Sequence, residues 1–126
     1  MKIQDLRIGN IIRQVEYRNG NCDNLRKITG VNQEGYVNVK MIFDYANMRS
    51  HPIKWFLPIE INEDWLIKLG FEKTDRFINK NYVLLLYTSK VCLYHYSNLS
   101  DAKVTIKYVH QLQNLYYSLT NQELSI

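Results

Sequence analysis

Residues 25–42 read LRKITGVNQEGYVNVKMI, and they decide the fold. Leu25 to Val31 is a β-branched, apolar run, and Asn32-Gln33-Glu34-Gly35 is a turn. Tyr36 to Ile42 then resumes, with Val37, Val39 and Met41 alternating against Tyr36, Asn38 and Lys40. A repeat of two is the period of a strand with one buried face, so the stretch predicts an antiparallel hairpin. Upstream, Leu6 to Arg13 is a further strand candidate, broken at Gly9-Asn10 by a bulge or sharp bend, and Asn19-Gly20-Asn21 is a strong turn signal. Downstream, residues 44–52 read as a polar loop. Ile53, Trp55, Leu57 and Ile59 alternate again as a last strand, with Pro58 at its edge or end. Four or five short strands joined by tight turns predict a small antiparallel sheet or SH3-like barrel over residues 1–60.

Beyond that sheet a short helix is expected. Asn62 is a good N-cap, Glu63 and Asp64 suit the positive end of the dipole, and Gly70 supplies a left-handed stop. Trp65, Leu66 and Leu69 are its apolar face. Residues 71–106 return to strands as a β-meander: Phe77-Ile78, a fully apolar Tyr82–Tyr87, Val91–Tyr96 and Lys103–Ile106. A C-terminal amphipathic helix closes the chain. Tyr108, Leu112, Leu115 and Leu119, flanked by Val109 and Tyr116, form its broad apolar stripe, and Asn121 takes the left-handed cap after Thr120. The expectation is therefore an α+β chain, residues 1–126 as a single compact domain, with a strand-rich part over 1–60 and an α-β-β-β-α part over 61–126.

Composition sets the function classes. The 126 residues are 46% hydrophobic and 22% charged, so the chain folds, and no apolar run approaches the length of a bilayer span. The opening Met1-Lys2-Ile3-Gln4-Asp5 has no apolar core of a signal peptide, and two cysteines seventy residues apart make no disulfide framework. A reducing cytoplasm is the expected compartment. Ten Tyr residues serve cores, protein interfaces and base stacking alike, and the abundant Asn is most simply the mark of an AT-rich genome. Residues 1–60 carry nine Lys/Arg against six Asp/Glu, and residues 61–126 seven against six. That basic bias permits an acidic partner without demanding one.

Catalytic signatures are missing. Cys92-x-x-His95 has metal-like local spacing, but no second ligand pair stands nearby, and on a strand the two positions face opposite ways. His51, His95 and His110 are scattered, the five glycines form no phosphate loop, and Glu63-Asp64 read as helix-start charges. No enzyme, no metal and no cofactor are expected. Binding residues are the better candidates. Arg7, Arg13, Arg18, Arg26, Lys27, Lys40, Arg49 and Lys54 crowd the first half, and a curled sheet brings several to one face with Tyr17, Tyr36 and Tyr45. Phosphates would meet the cations and bases the rings. Asp5, Glu16, Asp23, Glu34 and Asp44 dilute that patch toward an ordinary solvated face. A second candidate surface is the outer stripe of the last helix, with Lys103, Lys107, His110, Asn114 and Tyr117 at 4-3-4-3 spacing.

Three stretches carry a resemblance: Asp5-Leu6-Arg7-Ile8-Gly9-Asn10, residues 62–73 (NEDWLIKLGFEK) and residues 108–116 (YVHQLQNLY). Together they resemble a group of small uncharacterised proteins of bacteriophages and integrated mobile elements. In that group the last helix runs into a Thr-Gly-Glu-Glu-Leu-like tail, where this chain has Thr120-Asn121-Gln122-Glu123-Leu124. Asn in place of Gly keeps the left-handed cap. The matching residues are cap and core positions, so no catalytic residue carries over. What the resemblance implies is a phage-type inhibitor that binds a host defence protein in the bacterial cytoplasm. Anti-CRISPR proteins are the best-known case, and an RNA-targeting type VI CRISPR effector or its guide-RNA complex is an implied target. The alternative expectation is a small nucleic-acid-binding regulatory protein.

Overall fold

A computed structural model describes residues 1–17, 20–32, 34–41, 49–73, 77–79, 82–87, 90–95, 104–124 and 126. The chain divides into two compact units, Met1–Ile59 and Glu60–Ile126. It is α+β, and every ladder in it is antiparallel.

The first unit opens with a 3-10 turn over Ile3–Asp5 and a tight turn at Ile8-Gly9. Gly9 has a φ of 97°, and the Asn10 side-chain oxygen accepts the Arg7 N–H at 2.7 Å, so the expected break in the first strand is a turn ahead of it. Five strands follow: β1 (Ile11–Tyr17), β2 (Gly20–Val31), β3 (Tyr36–Met41), β4 (Arg49–Pro52) and β5 (Phe56–Leu57). Their order in the sheet is β4-β3-β2-β1-β5. Among the described residues no ladder joins β4 to β5, so the sheet is open and the barrel alternative is not realised. At the β2–β3 turn, the Asn32 side-chain oxygen accepts the N–H groups of Glu34 and Tyr36, each at 3.0 Å. The Asn32 side chain thus reinforces a turn that its own backbone N–H also closes, bonding the Tyr36 carbonyl at 3.1 Å. Leu6, Ile12, Ile28, Val37, Val39 and Phe56 form the core on one face, with Ile3, Ile53 and Trp55 packed against it.

Two readings of this unit change. The polar stretch taken as loop contains β4, whose Arg49–Pro52 pairs with Tyr36–Val39; backbone hydrogen bonding made this strand without an apolar pattern to announce it. Residues 53–59 are not one alternating strand. Ile53–Trp55 is a 3-10 turn that shifts the phase, so Phe56 enters the core and Leu57 is 51% exposed.

The second unit begins with α1 (Glu63–Lys68), capped as expected: the Asn62 side chain accepts the Trp65 N–H at 2.9 Å. Trp65, Leu66 and Leu69 are buried, and Gly70 has a φ of 93°. A meander follows in the order β10-β9-β8-β7-β6, from β6 (Glu72–Lys73), β7 (Phe77–Asn79), β8 (Tyr82–Tyr87), β9 (Lys90–His95) and β10 (Val104–Ile106). β6 goes beyond the sequence reading, because two exposed charged residues give no strand signal. α2 (Val109–Thr120) ends on Asn121 at φ 56°, whose N–H bonds the Tyr117 carbonyl at 2.7 Å, as expected. Val109, Leu112 and Tyr116 of the expected stripe are buried, His110 and Gln113 join them, and Leu119 is 50% exposed. The burial of Gln113 has a polar cause. Gln113 donates from Nε2 to the Leu124 carbonyl at 2.8 Å, and Leu124 is itself buried. Among the described residues no helix is long and apolar enough to cross a membrane.

Candidate functional site

Strand alternation sorts the basic residues of the first unit. On β1, Ile12 and Gln14 are fully buried on the core face, while Arg13 is exposed on the opposite one. Ladder partners share a face, so the register extends the assignment across the sheet. Ile12 pairs with Arg26, which pairs with Met41; Ile11 pairs with Lys27, which pairs with Lys40. Arg13 pairs with Leu57 on one side and Leu25 on the other. Arg13, Lys27 and Lys40 therefore occupy the second face with the exposed Leu57, and Arg26 occupies the core face. Asn38 and Ser50, an exposed pair beyond the half-buried Lys27 and Lys40, continue the second face. Ile11, at one end of that face, is buried.

Lys27 and Lys40 sit directly opposite one another across the ladder, which places their Cβ atoms about 5 Å apart. Arg13 stands on the neighbouring row, with its Nε 3.3 Å from an Asp23 carboxylate oxygen. Both of those side chains are largely solvated, so the pair contributes little to stability.

The other candidates are not gathered there. Lys54 is exposed in the 3-10 turn. Arg49 pairs with Val39 through its backbone, and its side chain lies outside the described residues. Arg18, Tyr45 and Lys103 also lie outside them, as do the side chains of Tyr17, Cys92 and His95. Tyr36 is exposed at the start of β3. In the second unit Lys107 is exposed, with Nζ 5.4 Å from the centre of the Tyr108 ring. His110 is not on an exposed stripe: it is 3% exposed and stacks on Tyr108, ring centres 5.8 Å apart at 11°. Tyr117 and Asn114 are half-buried. Among the described residues no group of three or more His, Cys, Asp or Glu is placed to hold a metal ion.

Two polar residues that sequence reasoning did not place in the interior lie on the core face of the first unit. Gln14 is fully buried; it accepts the Arg26 Nε–H on Oε1 at 2.8 Å and donates from Nε2 to the Glu16 carbonyl at 2.9 Å. Its signal was its spacing of two from Ile12, which puts a polar side chain on the core face. His51 is buried beside Trp55 and Phe56, ring centres 5.1 and 6.3 Å away. It lay in the stretch read as loop and gave no signal. Comparison with protein-family models, curated proteins and solved structures finds no match to this chain.

Proposed function

We propose that the chain is a non-catalytic binding protein that docks the second face of its first sheet on an acidic surface of another protein. The observation that supports this best is the Lys27–Lys40 pair, opposite each other on the ladder with Arg13 on the next row. Exposed Leu57, which pairs with Arg13, adds an apolar contact, and charge with an apolar neighbour suits a protein partner better than a bare phosphate track. The resemblance of residues 5–10, 62–73 and 108–116 to small phage proteins, which rests on the sequence alone, gives the partner its class. On this reading it is a host defence protein of the bacterial cytoplasm, an RNA-guided CRISPR effector or its guide-RNA complex, inhibited because the bound chain occludes or misplaces nucleic acid.

The test is capture by the tagged full chain in a defence-competent bacterial host, with and without nuclease. A nuclease-resistant protein partner is expected, lost in the Lys27→Glu/Lys40→Glu variant while circular dichroism shows the fold retained. Capture that ignores this charge reversal overturns the docking face. Capture of RNA or DNA alone, released by salt, replaces the reading with a nucleic-acid-binding regulatory protein.

A further inference from the structure

Arg26 is half-buried on the core face of the first sheet, away from Arg13, Lys27 and Lys40, and its setting differs from theirs. Its Nε–H is fixed on Gln14 Oε1 at 2.8 Å. Gln14 is itself fully buried and tied at its other end to the Glu16 carbonyl, so it cannot turn away. Among the described residues the two terminal nitrogens of Arg26 have no hydrogen-bond partner, and neither is a sealed, unsatisfied donor. A guanidinium anchored through Nε and open at Nη1 and Nη2 presents two donors of fixed geometry to one planar oxyanion. Most of the rotamer entropy of an arginine is already spent before anything binds.

We propose that Arg26, held by Gln14, is a second binding site of this chain, and that it takes a single carboxylate from an acidic side chain of a partner protein. The surroundings favour a carboxylate over a phosphodiester run. Arg13, Lys27 and Lys40 lie on the opposite face, so Arg26 offers one planar fork without those cations beside it. A single fork suits a lone planar carboxylate, whereas a phosphodiester run needs a row of cations. The site goes beyond the docking face proposed above, and either can fail alone.

A titration of the full chain followed by NMR tests it. An arginine Nε–H bonded to a buried amide exchanges slowly and is visible as its own resonance. Acetate and dimethyl phosphate serve as probes, each matched by sodium chloride at equal ionic strength. A saturable shift of the Arg26 Nε–H with acetate, beyond the chloride control, is the expected result. Gln14→Glu, which supplies an internal carboxylate to Arg26, abolishes the acetate shift; a shift of wild-type size in that variant counts against the fork. No wild-type shift beyond chloride overturns the site. Saturation by dimethyl phosphate without acetate overturns the carboxylate assignment. The wild-type titration needs no variant to fold, and it is read whether or not any partner is captured.

Discussion

A buried glutamine whose two ends both bond is a stability determinant as well as an anchor. Gln14→Leu keeps the volume but leaves the Arg26 Nε–H and the Glu16 carbonyl without their partner. Stranding such groups costs about 1–3 kcal/mol, so the urea midpoint should fall accordingly with the slope unchanged. Backbone conformation makes the contrasting case at Gly70. Its φ is 93°, and a Cβ there meets nothing within 4 Å, so Gly70→Ala isolates the conformational cost alone. About 1–2 kcal/mol of destabilisation is expected from urea unfolding. Gly70 was legible because a glycine after an apolar, N-capped run has one common use. Gln14 was not, because nothing in its own identity says that Arg26, twelve residues on, lies within reach.

α2 separates two ways of choosing a buried face. Apolar spacing selects Leu112, Leu115 and Leu119 flanked by Val109 and Tyr116, whereas the structure buries Val109, Leu112 and Tyr116 with Gln113 and leaves Leu119 exposed. Leu112→Ala should cost about 2–5 kcal/mol, while Leu119→Ala should stay within about 0.5 kcal/mol of wild type in the same denaturation series. Equal losses would restore the leucine stripe. The helix itself, its end at Thr120 and its left-handed Asn121 were legible, since caps are local chemistry. The burial of Gln113 was not, because a hydrogen bond from Gln113 to the Leu124 carbonyl holds a polar residue inside. The same division explains β4 and the stretch after it. A strand made by pairing alone, Arg49–Pro52, carries no apolar rhythm. A 3-10 turn at Ile53–Trp55 breaks a rhythm that looked continuous through Leu57.

At the scale of the whole molecule, the sequence shows how much charge there is, while the register decides where it points. Arg26 and Lys27 are adjacent in the chain and on opposite faces of the sheet, so a basic cluster counted along the sequence overstates what any one partner meets. This makes placement separable from net charge, +4 for the full chain. Lys27→Glu/Lys40→Glu and Lys2→Glu/Lys54→Glu change that net charge equally. Lys2 and Lys54 are exposed, but they lie in the opening segment and the 3-10 turn, outside the ladder that pairs Lys27 with Lys40. Steering falls off over a screening length of about 8 Å at physiological salt, so only charges near the docking face act strongly there. With the captured partner in hand, stopped-flow association should slow about tenfold in the Lys27/Lys40 variant, and the salt dependence of the rate should flatten. The Lys2/Lys54 variant should keep most of both. Equal slowing in the two variants would mean that overall charge, and not the Lys27–Lys40 face, guides the encounter.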